Sequence, residues 1–180
     1  MGQSLSSLCD FGETERRILM VGLDGSGKTT ILNRIRGGAT FHDVETTNGF
    51  NLETVDVNGA TLTIWDIGGK CLPLYYHYYQ DAHAFVFVID SSDEMRMKQV
   101  SMELTHVLKA SRVNRPVLIL ANKQELPMAM PATKVREQLT QALPELLREP
   151  DRQWIVQGTS GANGSGLDVG MDWLVNALGN

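Results

Sequence analysis

The residues Gly22-Leu23-Asp24-Gly25-Ser26-Gly27-Lys28-Thr29 gather, in one short stretch, the chemistry needed to hold a phosphate chain. Glycines at the first, fourth and sixth places let the backbone curl until its N–H groups face phosphate oxygens. Lys28 supplies a cation with the reach to bridge β and γ phosphates, and the Thr29 hydroxyl suits Mg²⁺. Thr30 follows on a helical pattern whose positive end adds to the same field. An ordinary glycine-rich turn has no reason to match every fixed position. Asp24, Gly25, Ser26, Gly27, Lys28, Thr29 and Thr30 therefore form a first set of candidate ligand-binding residues.

Three later segments extend the set. Trp65-Asp66-Ile67-Gly68-Gly69 closes a strand-like run, where the Asp66 carboxylate can hold Mg²⁺ through water and the Gly69 N–H can meet a γ phosphate. Asn122-Lys123-Gln124-Glu125 follows an apolar run ending near Leu120, the place for a loop that reads a base. A carboxylate at Glu125 selects guanine, which presents two donors on one edge as adenine does not; each charge-assisted bond is worth about 1.5 to 3 kcal/mol. Thr159-Ser160-Gly161-Ala162 offers backbone donors at Ser160 and Gly161, although small-residue loops of this kind are commonplace. The implied ligands are GTP or GDP with Mg²⁺.

Such residues need a scaffold that brings strand ends together. Arg17 to Gly22 reads as a short buried strand and Lys28 to Arg36 as a helix, with Gly37-Gly38 ending it. Phe50 to Val57 and Ala60 to Trp65 alternate apolar and polar residues around Asn58-Gly59, the pair favoured in two-residue hairpins. Ala84 to Ile89, Pro116 to Leu120 and Trp154 to Gln157 read as further strands, separated by helical patterns over Met95 to Ala110 and Thr133 to Leu143. A last helix is expected over Leu167 to Leu178. The fold class is then α/β, three-layered, with about six mostly parallel strands, one antiparallel hairpin and helices on both faces; ligands in such folds sit at strand carboxyl ends. Asp43 to Asn51 and Gly68 to Leu74 are the connections most able to move.

Composition bounds the partners. The 180 residues suit one domain, and a net charge of -5 without a basic run leaves no footprint for general nucleic-acid binding. Only Cys9 and Cys71 are present, too few for a disulfide framework, which suits reducing cytosol. No apolar run approaches the roughly 20 residues that span a bilayer, so membrane contact has to come from an anchor.

The phosphate loop, Trp65-Asp66-Ile67-Gly68-Gly69 and Asn122-Lys123-Gln124-Glu125, in that order, resemble a Ras-type GTPase of the Arf and Arf-like branch. Ile18 to Asp24, Gly49-Phe50-Asn51, His77-Tyr78 and Ala121 to Gln124 carry the branch-specific likeness, which covers nearly the whole chain. The resemblance implies a switch with a small GTPase domain over residues 16–180 behind an anchor over 1–15. It implies that Thr47 closes on Mg²⁺ and γ phosphate, and that Phe50, Trp65 and Tyr78 present an apolar patch to effector proteins. It also implies an exchange factor as a partner, and a hairpin that shifts register between nucleotide states and expels an N-terminal helix.

Four departures bear on that expectation. Lys70 stands where the family has the glutamine that orients attacking water, so GTP hydrolysis is expected to be slow. The Lys70 to Tyr75 stretch is two residues shorter than the family pattern, Glu125 replaces aspartate, and Thr46 and Asn48 flank Thr47 in place of proline and an aliphatic residue. Two alternatives stay open: a GTP-binding module that does not hydrolyse and is controlled by exchange, and, more distantly, a small phosphoryl-transfer kinase, for which no arginine-rich lid is visible.

The start fits Met-Gly-x-x-x-Ser, with Gly2 open to myristoylation. One acyl chain binds a membrane with a constant of only about 10⁴ per molar, so a second anchor at Cys9 would help; an idle thiol there and a frayed tail are the plain alternatives. The expected location is cytoplasmic with peripheral membrane association. His42, His77, His83 and His106 lack ligand spacing, and Tyr75, Tyr76, Tyr78 and Tyr79 read as half-buried packing with hydroxyls at the surface.

Overall fold

The computed structural model describes residues 16–37, 50–57, 60–67, 76–111 and 115–179. Six strands form one sheet in the order β2-β3-β1-β4-β5-β6. They are β1 (Arg16–Val21), β2 (Phe50–Val57), β3 (Ala60–Ile67), β4 (Ala84–Asp90), β5 (Val117–Asn122) and β6 (Trp154–Gly158). Among the described strands only β2 runs antiparallel, paired with β3 from Phe50 opposite Ile67 to Val57 opposite Ala60, the register of a two-residue hairpin. Its turn, Asn58-Gly59, lies outside the described residues.

The alternation of side chains along β1 splits the core into two layers. Ile18 and Met20 face α1 (Lys28–Ile35) and α6 (Leu167–Gly179), packing with Ile31, Leu32, Leu167, Met171 and Leu174. Leu19 and Val21 face the opposite layer, where Val100, Leu104 and Val107 of α3 (Met97–Ala110) and Val135 and Leu139 of α4 (Ala132–Ala142) cover Phe85, Phe87 and Ile119. Each large side chain so buried contributes about 1.5 to 3 kcal/mol, which fixes the sheet as the rigid base beneath the loops.

Several boundaries differ from the sequence reading. The β3 strand continues through Asp66 and Ile67, because these pair with Asn51 and Phe50. Ala121 and Asn122 belong to β5, paired with Ile89 and Asp90, so Asn122 is the last strand residue and the loop starts at Lys123. The helix expected from Met95 begins as a 3-10 turn, Glu94–Arg96. Two short helices were not foreseen, α2 (Tyr76–Asp81) and α5 (Pro144–Leu147).

Tyr79, expected to keep its hydroxyl at the surface, is only 5% exposed and stacks on Phe85 at a 6.0 Å centroid distance. Burial first, and the Glu103 carboxylate second, push that hydroxyl up to about 12. Of the connections expected to move, Phe50 and Asn51 are strand; the remainder of both lies outside the described residues. Among the described residues no helix is long and apolar enough to cross a membrane.

Candidate functional site

The chain leaves β1 at the centre of the sheet, with β3 on one side and β4 on the other. Loops at the carboxyl ends of such a switch point diverge and leave a crevice between them. Residues 22–27 occupy that crevice. Gly22 has φ 145°, and a Cβ there would stand 2.3 Å from the Val88 carbonyl oxygen, so only glycine permits the loop to pass over β4. Gly25 and Gly27 are left-handed at φ 74° and 96°. Gly27 precedes α1 without a capping side chain, and the first helical turn carries no acidic residue, which leaves its positive end facing the crevice.

Lys28 turns back across the loop. Its Nζ donates to the carbonyls of Gly22 at 2.9 Å and Leu23 at 3.0 Å, and the residue is 6% exposed. A buried ammonium so held keeps its charge inside the loop. Thr29 and Thr30 stand on the same first turn of α1. Asp66 lies beside Met20 in the β1–β3 register, one strand from the loop.

Asn122 joins the phosphate loop to the segment after β6. Its side-chain amide donates to the Ser26 carbonyl at 2.8 Å, and its oxygen accepts the Gly161 N–H at 2.9 Å, with the residue 2% exposed. Gly27 is tied to this strut as well: a Cβ there would come within 2.4 Å of Asn122 Nδ2. The Ser160 N–H donates to the Ser165 carbonyl at 2.9 Å. Both backbone donors expected to meet a base at Ser160 and Gly161 are thus engaged in bracing their own loop.

Lys123 is the one described non-glycine residue with positive φ, 67°. For a long side chain that conformation costs on the order of 1 kcal/mol and needs something to hold it. Asp90 at the end of β4 does so: its Oδ2 accepts Lys123 Nζ at 2.5 Å, while Oδ1 accepts the Ser92 N–H and hydroxyl at 2.9 and 2.6 Å. Glu125, on the turn that follows, is exposed. Sequence reading missed Asp90, although the rule applied to the ends of β1, β3 and β5 points equally to the end of β4.

Burial pushes the Asp90 carboxyl up, but the hydrogen bonds from Lys123 and Ser92 outweigh it and hold it below its ordinary value. A carboxyl held lower in the folded chain than in the unfolded one stabilises the fold fully above the unfolded value. That contribution is lost as pH falls through the folded value, so the Lys123 geometry is expected to persist from neutrality to about pH 4 and fail only below it. Asp90→Asn is expected to weaken guanine-nucleotide binding about fivefold at neutral pH, the scale of about 1 kcal/mol for a partly exposed ion pair. Isothermal titration of the variant checks this, and unchanged affinity would remove Asp90 from the site.

Among the described residues no three His, Cys, Asp or Glu side chains cluster as a metal site. A threonine hydroxyl and a single carboxylate nevertheless fit a Mg²⁺ that takes its other ligands from phosphate and water. Thr47, Gly69, Lys70, Gly2 and Cys9 lie outside the described residues. Phe50 and Trp65 sit on β2 and β3 and Tyr78 on α2, so backbone alone places them. A cavity of about 620 Å³ is lined by Arg34, Ile35, Val57, Gly164, Leu167 and Met171 among others.

The model of the ADP-ribosylation factor (Arf) family matches residues 1–178. This chain belongs to the Arf family. The Arf fold extends to a solved relative, the Arl6 (BBS3) small GTPase of Trypanosoma brucei, whose structure holds the nucleotide analogue GppNp. It is 31% identical, with a TM-score of 0.79, over 92% of this chain and 98% of that one. The doubly covered sheet and its single antiparallel pair are therefore those of an Arf-like small GTPase, as the sequence motifs implied.

Proposed function

We propose that this Arf-family chain is a guanine-nucleotide switch that binds GTP and GDP with Mg²⁺ and turns GTP over slowly. The observation that carries the reading is the strut at Asn122, which couples a glycine-rich phosphate loop to the loops around Lys123 and Gly161. One ligand with a phosphate chain at one end and a base at the other accounts for both. The GppNp-bound state of the T. brucei relative supports the same assignment.

In this reading Lys28 and the N–H groups of residues 24–30 bind the phosphates, and Glu125 accepts the guanine donors. Thr29, Thr47 and Asp66 hold Mg²⁺, which when bound offsets charge on the β and γ phosphates. The γ phosphate orders Thr47 and Gly69, and its loss releases them. Phe50, Trp65 and Tyr78 form the surface offered to effector proteins, and an exchange factor reloads the site. Gly2 carries a myristoyl chain that places the protein peripherally on membranes, with Cys9 as the candidate second anchor.

Slow turnover follows from Lys70. A lysine ammonium offers no acceptor to the attacking water, so it orients that water poorly, although its charge favours bound GTP. Single-turnover release of phosphate from preloaded GTP is expected to be at least about tenfold faster in Lys70→Gln than in the natural chain. No gain would shift the cause to the shortened segment after Lys70. No release from either protein, with tight GTP binding, would favour the exchange-controlled module.

A further inference from the structure

Arg96 ends the 3-10 turn before α3 and lays its guanidinium across Asp24 of the phosphate loop. Nη1 donates to the Asp24 carbonyl at 3.0 Å and Nη2 to its Oδ1 at 2.7 Å, while Nε donates to Gln99 Oε1 at 3.1 Å. Backbone and side chain of one loop residue are thus gripped by one rigid fork, which is itself oriented from α3.

We propose that Arg96 is a positioning residue for the nucleotide: it neutralises the Asp24 carboxylate and holds it aside, so that the phosphate loop accepts a polyanion. The inference rests on the nucleotide reading above. Asp24 places a negative charge inside a loop whose other features all attract negative charge. With the Arg96 cation removed, less of that carboxylate's charge is offset against the phosphates, and the opposition grows with the charge of the ligand, so GTP suffers more than GDP. Both partners are well exposed, with side chains 32% and 46% accessible. Ion pairs of that exposure add little to folding stability, so the two-point grip is read in ligand binding rather than in the melt.

The Arg96–Asp24 contact also ties α3 to the loop, since Met97, Val100 and Leu104 of that helix are rooted in the core. The position of Asp24 is therefore set by the packed layer under the sheet and not by the loop alone. Lysine at 96 would restore charge without the fork, and should act only in part.

Equilibrium titration of GTP and of GDP into the full chain tests this, at low and high salt, with thermal melts alongside. The proteins are the natural chain, Arg96→Gln, Arg96→Lys and the double variant Arg96→Gln with Asp24→Asn. Arg96→Gln is expected to weaken GTP about tenfold and GDP about threefold, with the gap narrowing at high salt. Arg96→Lys should fall between, and the double variant should bind GTP better than Arg96→Gln and narrow the gap between GTP and GDP, since the two sites are coupled. Equal losses for both nucleotides that Asp24→Asn does not relieve, or no loss at all, would overturn the proposal. A natural chain that binds neither nucleotide would fail the underlying reading, a result plainly distinct from a variant-specific failure.

Discussion

Lys28→Ala is expected to weaken GTP binding about a thousandfold, close to 4 kcal/mol. In the structure the Lys28 ammonium is buried and held by the Gly22 and Leu23 carbonyls, so its location is fixed before any ligand arrives. Little side-chain entropy is then lost on binding, and charge-assisted bonds to two phosphates at about 1.5 to 3 kcal/mol each supply the affinity. Alanine removes the cation and leaves two loop carbonyls without that donor, so a modest fall in stability of about 1 to 2 kcal/mol should accompany the loss. Titration of GTP into folded Lys28→Ala, with the melt as control, is the check. Affinity within a fewfold of the natural chain would place the phosphates elsewhere.

The second large effect is expected at Asn122. Its amide is spent on two buried bonds, to the Ser26 carbonyl and from the Gly161 N–H, at 2% exposure. Alanine there strands an acceptor and a donor at about 1 to 3 kcal/mol each, which predicts a loss near 4 kcal/mol and a melting temperature lower by about 10 °C. The phosphate loop and the Gly161 loop would then lose their common reference, and GTP affinity should fall about a hundredfold. Asn122→Asp is the sharper probe. It keeps an acceptor for Gly161 but turns an oxygen toward the Ser26 carbonyl, so it should bind GTP no better than the alanine variant. An Asn122→Asp chain with natural affinity would show that the strut does not shape the site.

The site was legible in the sequence wherever one segment carries its own chemistry. The strands and turns that carry the phosphate loop, Asp66 and the Asn122 to Glu125 segment could be read because strand, turn and residue type coincide within a few positions. What escaped depends on neighbours distant in sequence. Asp90 and Lys123 meet only because β4 and β5 lie side by side, and Arg96 reaches Asp24 only because α3 packs under β1 and β4. The same cause hides the tie between β5 and the segment after β6, where the Gly161 N–H donates to Asn122 Oδ1.

The elements tell a similar story. Strands with unbroken apolar runs were placed to within two residues, since burial on both faces leaves a plain mark. The α2 helix was not, because Tyr76-His77-Tyr78-Tyr79 has no helical apolar spacing and its reason to form is tertiary: Tyr79 is buried on Phe85. The β3 strand overran its expected end because pairing with Phe50 and Asn51, not its own composition, decides where it stops.

Competition between nucleotides measures whether this Arf-family crevice takes a guanine nucleotide. A fluorescent GDP preloaded on the purified chain with Mg²⁺ is displaced by GTP, GDP or ATP in turn. GTP and GDP are expected to compete at least about a hundredfold better than ATP, as two charge-assisted bonds to Glu125 require. Equal or better displacement by ATP, or no binding of the probe at all, would show that the crevice is not a guanine-nucleotide site.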